Sequence, residues 1–315
     1  MKKIIITLLV NMVCMLALAQ REEIVFTPQW TAQAQFAGYY VAEAKGFYRE
    51  AGLNVRIKHP SASNSCINHL KEGKSQIITQ HLISAMKHIN AGLPLINILQ
   101  TAQNNSQMII SHKPLKSVKS LRGKRIGRWK AGYFELGVLI NNQYNLQVEW
   151  VPFVQNVNLY ITGAIDATMA MAYNEYYQLL MAGQHINKDQ ILYFRDLGCN
   201  VPEDGLYTSA EYYRTHEKEV KAFAEASKKG WEWAANHTEE TIDIVMKVAQ
   251  ANNVKTNRAA QRWMLQEILK VMKDEKTGQR TYQLKESSLR HANSILLKNN
   301  TIPKAITYKQ ITQPE

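Results

Sequence analysis

The sequence predicts an α/β protein with two lobes, each built on a doubly wound sheet, and a helical C-terminal extension. Short apolar strands alternate with helical segments from Ile24 to Leu99, and the alternation restarts at Gln107. Beyond Gly205 the chain crosses back, and apolar residues then recur three and four positions apart, which is typical of amphipathic helices. We therefore expect lobe I to comprise residues 20–105 and 206–315, with the C-terminal helices, and lobe II to comprise 106–205.

The N-terminus has the features of a secretory signal. A basic start, Met1-Lys2-Lys3, precedes an apolar run, and Ala17-Leu18-Ala19 forms an A-x-A-like cleavage site. The run is too short for a spanning helix. We expect residues 1–19 to be a signal peptide cleaved after Ala19, leaving 315 − 19 = 296 residues of exported protein. The residues before Cys14 are not small, which argues against lipidation at that cysteine.

The composition argues against a nucleic-acid-binding protein. The formal net charge is +12, but the 38 Lys and Arg residues are scattered and form no stripe with interleaved aromatics. A mildly basic, solvated surface explains this balance. Cleavage leaves Cys66 and Cys199, which are far apart and form no disulfide framework, so they either pair or stay free. We find no motif for a cofactor or a metal, and expect none.

A polar and aromatic stretch follows the first predicted strand and leads into a helix. Ligands of open α/β sheets bind beyond the carboxyl ends of the strands, so this stretch is a candidate binding surface. Its rings suit stacking on a planar molecule, and its amides offer both donors and acceptors. The candidates are Trp30, Gln33, Gln35, Phe36 and Tyr39. For Phe36 and Tyr39 the alternative is burial in the core under the helix.

Two further strands of the first lobe end in polar residues. Residues 54–58 alternate as a second strand and are followed by small polar residues that include Ser63 and Asn64. Either side chain could face a ligand or cap the next helix. Residues 76–80 form a third strand, which places Gln80 and His81 at its carboxyl end, where a histidine is either a structural group or a ligand contact. Residues 95–99 form the fourth strand.

The second lobe repeats this arrangement. Strands are predicted at 107–111, 125–129, 147–151, 166–171 and 191–194. Gly132 and Tyr133 precede a helix, where glycine allows a close approach to backbone amides. Tyr173, Asn174 and Glu175 follow another strand as an aromatic, amide and acidic loop. Helices are then predicted near 211–236, 239–251, 257–272 and 286–297.

At this point two motifs resemble a known family. The segment from Gln35 to Tyr48, with Ala51-Gly52-Leu53-Asn54-Val55, is similar to the opening of periplasmic solute-binding proteins of the thiamine-pyrimidine and alkanesulfonate type. Leu121-Arg122-Gly123-Lys124-Arg125-Ile126-Gly127 resembles the family's entry into the second lobe, and residues 166–175 its strand and ligand loop. The resemblance covers about 23–209. It implies a type II periplasmic-binding-protein fold, in which two lobes close on a ligand.

The resemblance also implies a function. Trp30, Gln35 and Tyr39 would line the wall of the first lobe, and Tyr173 and Glu175 that of the second. A carboxylate in an aromatic cleft suits an amino-bearing heterocycle and repels an anion, so an aminopyrimidine thiamine precursor is favoured over a sulfonate or nitrate. The alternative is that Glu175 only starts a helix.

We expect a monomeric, non-enzymatic receptor that delivers a small molecule to an ABC permease. The alternatives are an anion receptor and a sensory module for a membrane partner. The pyrimidine synthases that resemble this fold carry a cysteine-rich loop, whereas residues 169–175 here contain no cysteine.

Overall fold

The structure, a computed structural model, describes residues 22–61, 64–130, 132–154 and 157–313. The predicted signal peptide with its cleavage site at Ala19, Cys14 and the candidate Ser63 lie outside the described residues. Among the described residues, none of the helices combines the length and the hydropathy needed to cross a bilayer.

Ten strands form two separate sheets in the part of the chain that the structure describes. Their bounds are β1 Glu23–Thr27, β2 Asn54–Ile57, β3 Ile77–His81, β4 Leu95–Gln100, β5 Gln107–Ser111, β6 Arg125–Trp129, β7 Glu149–Phe153, β8 Ala167–Met171, β9 Ile191–Tyr193 and β10 Asp204–Ser209.

Helices connect these strands and form the C-terminal part. Their bounds are α1 Ala37–Ala44, α2 Phe47–Glu50, α3 Cys66–Lys71, α4 Leu82–Asn90, α5 Glu135–Tyr144, α6 Asn158–Ile161, α7 Glu175–Met181, α8 Ala210–Thr215, α9 Glu217–Asn236, α10 Thr238–Ala251, α11 Arg258–Val271, α12 Glu286–Lys298 and α13 Tyr308–Thr312. Short 3₁₀ helices lie at Ala34–Phe36, Val118–Leu121, Lys188–Gln190 and Phe194–Leu197.

The first sheet has the strand order β2-β1-β3-β10-β4, and the second has the order β7-β6-β8-β5-β9. In each sheet one strand runs antiparallel to its neighbours: β10 lies between β3 and β4, and β5 lies between β8 and β9. We call the first sheet with its helices lobe I, and the second sheet with its helices lobe II. The predicted α/β architecture with a helical C-terminal part is confirmed.

The helices α1 and α9 of lobe I cross at two glycines. A Cβ at Gly38 would lie 2.2 Å from the ring of Trp231, and one at Gly230 would lie 2.0 Å from the carbonyl oxygen of Gly38. Only glycine allows this approach, which seats the Trp231 ring 5.6 Å from that of Tyr39. Because α1 follows the stretch that carries Trp30, this crossing fixes where that stretch sits.

The Cys66 and Cys199 thiols are both buried and do not form a disulfide with each other. Of the two possibilities that the sequence leaves open, the structure therefore shows free cysteines.

We predict that Gly230→Ala destabilises the protein by about 1–3 kcal/mol, because the added methyl group would overlap the backbone of α1. The midpoint of urea unfolding measures this change. The neighbouring exposed Lys229→Ala is the control and should shift the free energy of unfolding by less than about 0.5 kcal/mol. Equal stability of the two variants would contradict the close crossing.

Candidate functional site

A cleft lies between the two lobes, at the carboxyl ends of β1, β3, β6 and β8. It encloses about 340 Å³, part of which opens to solvent. The lining residues come from both lobes and are mostly aromatic or amide-bearing: Gln29, Trp30, Gln33, Gln35, His81, Trp129, Tyr133, Met171, Tyr173, Asn174 and Glu175. A cleft at this end of the strands, formed by loops from two sheets, is the usual place for a small-molecule site in this fold class.

The pairing of β10 with β3 builds the lobe I wall. The antiparallel register sets Asp204 directly opposite His81. The Asp204 carboxylate lies behind the cleft surface and accepts hydrogen bonds from Nε2 of Gln29 at 2.7 Å and from Nε2 of Gln35 at 2.8 Å. Gln33 Nε2 in turn donates to Gln35 Oε1 at 2.7 Å. One buried carboxylate thus orients three glutamine amides that line or approach the ligand space.

Two side-chain atoms in this wall, one on Gln29 and one on His81, have no hydrogen-bond partner. Gln29 Oε1 is buried and has no hydrogen-bond partner, since the amide nitrogen of Gln29 is the atom that faces Asp204. His81 Nε2 lies 3.1 Å from Asp204 Oδ1, as an ion pair without hydrogen-bond alignment. A buried acceptor without a partner costs about 1–3 kcal/mol, so a ligand that donates a hydrogen bond to Gln29 Oε1 would recover that energy.

Charges around His81 set its protonation. Burial lowers the pKa of the imidazole, but the carboxylates of Asp204, Glu203 and Glu135 outweigh burial and raise its pKa above the ordinary value. Burial raises the pKa of Glu203 to about 7, although His81 and the Ser106 amide oppose the shift. The Glu203 carboxylate accepts hydrogen bonds from the backbone N–H of Ser106 at 2.7 Å and from its hydroxyl at 2.9 Å. This contact ties together the two chain crossings between the lobes.

Glu175 begins α7 in the lobe II wall, and its carboxylate is already hydrogen-bonded within the protein. Oε1 accepts from Trp129 Nε1 at 3.0 Å and from Asn174 Nδ2 at 3.1 Å, and Oε2 accepts from the Met171 backbone N–H at 3.0 Å. Burial raises the pKa of Glu175, and these donors only partly offset the shift. The residue is thus both the first residue of a helix and a carboxylate that lines the cleft.

Several contacts join the lobes across the cleft. The ring of Tyr133 from lobe II lies edge-on to Trp30 and to His81, with centroid distances of 5.9 and 4.6 Å. Lys87 Nζ pairs with Glu135 Oε1 at 2.8 Å. Tyr133 has a φ of 60°, which is costly for a bulky residue and places its ring inside the cleft. The lobes therefore stand close together, with an aromatic ring between them.

The structure brings eight of the predicted site residues together at the cleft: Trp30, Gln33, Gln35, His81, Tyr133, Tyr173, Asn174 and Glu175. The others that it describes lie elsewhere. Phe36 and Tyr39 are core residues, and the Tyr39 ring packs 4.8 Å from that of Phe26. Core burial is the alternative that the sequence left open for both.

Three further predicted residues do not line the cleft. Gln80 Nε2 donates to the Cys66 sulfur at 3.1 Å. Asn64 Nδ2 donates to Glu72 Oε2 at 3.3 Å, outside the cleft. Gly132, with a φ of 70°, shapes the turn before Tyr133. Each therefore has a local structural role. The amide nitrogens of Gln80 and Asn64 already donate hydrogen bonds within the protein, and Gly132 supplies the positive φ of a turn.

Sequence reasoning missed Asp204 and Glu203, and did not single out Trp129 or Met171 as site residues. Glu203 immediately precedes β10 and Asp204 is its first residue, and such adjacent acids at the start of a buried strand are an available signal because buried carboxylates are unusual. Glu203 contacts Ser106, 97 residues away, and Asp204 contacts Gln29, 175 residues away, so the role of each depends on the register of β10. Trp129 and Met171 end predicted strands and look like ordinary core residues.

The chemistry of the lining residues indicates which kind of ligand the cleft could hold. Among the described lining residues there is no lysine or arginine. No group of three or more His, Cys, Asp or Glu side chains in the described part of the chain could hold a metal ion. Aromatic faces, amides and one carboxylate suit a planar, uncharged or cationic molecule with hydrogen-bond donors.

Comparison with known proteins assigns the chain to a family. Residues 33–241 match the model of the family described as NMT1/THI5 like. The riboflavin-binding protein RibY of Chloroflexus aurantiacus is 24% identical over 273 residues, which cover 82% of this chain and 75% of that protein. The formylaminopyrimidine-binding protein of Halalkalibacterium halodurans is 23% identical over 228 residues, which cover 69% and 68% of the two chains.

A solved structure shows the same fold. The periplasmic aliphatic sulphonate binding protein SsuA of Escherichia coli superposes with a TM-score of 0.65 and 14% identity, over 94% of each chain. The matched stretches of the curated relatives span 66% to 75% of their own lengths.

We predict that the protein becomes less stable between pH 5 and pH 8. The raised pKa of His81 adds stability that is present at low pH and is lost as pH rises through the folded value. Glu203 has the same sign, because an acid with a pKa raised to about 7 is penalised once it ionises. The free energy of unfolding, measured by urea denaturation, should therefore fall as pH rises, by an amount on the order of a few kcal/mol.

Glu203→Gln should flatten this dependence, because it removes the penalty for ionising Glu203 and one of the charges that raises the pKa of His81. Glu149→Gln is the control, since Glu149 is exposed, and it should keep the full dependence on pH. A Glu203→Gln variant as pH-sensitive as the wild type would contradict this assignment.

Proposed function

The chain belongs to the NMT1/THI5-like family and is a solute-binding protein of the ABC-import type, and we propose that its ligand is a small, amino-bearing nitrogen heterocycle resembling a thiamine pyrimidine precursor. The observation that carries the proposal is the lining of the cleft. It combines a carboxylate, Glu175, with an unpartnered acceptor, Gln29 Oε1, and the described lining residues include no lysine or arginine.

Electrostatics separates this ligand from an anion. A sulfonate or nitrate in a closed cleft has to exchange its water shell for several donors, preferably charged ones. Among the described residues that line the cleft, His81 is the one side chain that can carry a positive charge, and Asp204 at 3.1 Å already balances it. The raised pKa of Glu175 shows a carboxyl group that would gain from a nearby positive charge or donor. An amino-heterocycle supplies that group.

The shape of the cleft supports a planar ligand. The ring of Tyr133 lies edge-on to both Trp30 and His81. A heterocyclic ring would take this position of the Tyr133 ring once the lobes open. The amide of Gln35 is held by Asp204 and that of Gln33 by Gln35, so neither needs reorganisation. The chain would work as an exported, non-enzymatic monomer that presents its ligand to an ABC permease. The relative named as a formylaminopyrimidine-binding protein supports this ligand class.

We predict that a ligand screen by thermal shift selects aminopyrimidines. At a hundredfold excess over its Kd, a bound ligand stabilises the folded state by about 2.7 kcal/mol. 4-Amino-5-hydroxymethyl-2-methylpyrimidine should raise the melting temperature, whereas taurine, methanesulfonate and nitrate should leave it unchanged in the same buffer. Stabilisation by a sulfonate but by none of the pyrimidines would show that the protein is an anion receptor.

We predict that Trp30→Ala lowers affinity for the pyrimidine at least about tenfold, because it removes a stacking face. Trp30 is half-buried at the cleft, so the folded state should tolerate its loss. The control is Trp233→Ala, another half-buried tryptophan that lies against His237 and Lys45, outside the cleft. Isothermal titration measures both variants. Equal affinity of Trp30→Ala and Trp233→Ala would remove Trp30 from the site.

A further inference from the structure

The cleft continues outward into a second, larger space that the proposed ligand does not fill. We call it the rim chamber. It encloses about 1050 Å³, part of it open to solvent, against about 340 Å³ for the cleft. The two spaces share Trp30, Gln33, Tyr173, Asn174 and Glu175, so they are continuous. A single pyrimidine ring would occupy only the inner one.

The walls of the rim chamber come from both lobes. Lobe I contributes the loop that joins α10 to α11, residues 252–257, and the first turns of α11, including Ala260 and Gln261. Lobe II contributes α7, including Gln178 and Met181. A molecule that filled both the cleft and the rim chamber would therefore contact both lobes in each of the two spaces.

The protein's own contacts hold these walls in place. Gln261 Oε1 accepts from the Ala34 backbone N–H at 2.6 Å, and Gln261 Nε2 donates to the Thr256 hydroxyl at 2.8 Å. Across the lobes, Trp263 Nε1 donates to the Ala172 carbonyl oxygen at 2.9 Å, and its ring stacks on Tyr177 at 5.0 Å. The rim chamber thus persists with the lobes close together, so a ligand held in the cleft could still extend into it.

The chemistry of the rim chamber is mixed. Met181 is 58% exposed, an unusual state for a large apolar side chain, and it lies on the wall beside Tyr177. Thr256, Asn257 and Gln178 add polar groups, and the exposed Lys255 adds a cation on the lobe I side. The Glu175 carboxylate lies on the lobe II side, at the junction with the cleft. This combination suits a second ring that carries a polar chain and is neutral or positive where it joins the head group.

We propose that the natural ligand has two parts: an amino-heterocyclic head in the cleft and a second ring with a polar substituent in the rim chamber. This inference rests on the proposed function, since it places the head group at the same site. It narrows the ligand class from single heterocycles to heterocycles joined to a second cyclic group.

Two probes separate the parts. 4-Amino-5-hydroxymethyl-2-methylpyrimidine represents the head alone, and thiamine carries the same aminopyrimidine joined to a second, cationic ring with a hydroxyethyl chain. Isothermal titration of the wild type should give a Kd for thiamine at least about tenfold lower, which corresponds to about 1.4 kcal/mol.

Substitutions that fill the rim chamber should remove the higher affinity for thiamine. Ala260→Trp fills it from lobe I, and Met181→Trp fills it from an exposed position of lobe II, so at least one of them should fold normally. Each should weaken thiamine binding to the level of the head alone and leave the pyrimidine Kd within about twofold. Ala259→Trp, at the exposed neighbouring position of α11 that does not line the rim chamber, is the matched control and should keep the thiamine advantage.

The outcomes distinguish this inference from the function it rests on. Tight pyrimidine binding with no gain for thiamine, or a gain that both filling variants keep, would overturn the two-part ligand and leave the proposed function standing. Binding of neither probe by the wild type would overturn both.

Discussion

The site depends on one buried carboxylate, that of Asp204. Taking a carboxylate out of water is expensive unless donors surround it. Here the donors are the amides of Gln29 and Gln35, while the imidazole of His81 lies 3.1 Å away as an ion-pair partner. Each of these groups also lines the cleft, so groups of the candidate site offset the cost of burying one charge. Their positions are fixed before any ligand arrives.

Asp204 reaches this position because the chain returns from lobe II to the first sheet. β10 inserts between β3 and β4 and runs antiparallel to both, which brings Asp204 to the ligand-binding end of β3. The preceding residue, Glu203, binds Ser106 on the outgoing crossing. The two connections between the lobes are thus joined by a carboxyl group beside the cleft. A movement that opened the lobes would act on segments next to that contact.

The sequence predicted the fold and part of the site because those features are local. Alternating strands and helices revealed two sheets, and the loop residues at strand ends, such as Trp30 and Glu175, fell at the cleft. The sequence did not predict the location of side chains whose position depends on packing between distant segments. Phe36 and Tyr39 are aromatic residues close to Trp30 in the sequence, yet both rings are turned into the core, that of Tyr39 against Trp231 of α9. Asp204 was missed because its partners are set by a strand register that no local pattern records.

The overall charge of the chain is a poor guide to its ligand. A formal charge of +12 would favour an anion if charge alone decided. Exposed lysines and arginines are screened within about 8 Å at physiological ionic strength, whereas a carboxylate in a closed cleft acts at short range in a medium of low dielectric constant. Glu175 and Asp204 are each more than nine-tenths buried, and both lie within or just behind the lining. For the ligand proposed above, the local charge of the cleft would therefore weigh more in selection than the dispersed positive surface.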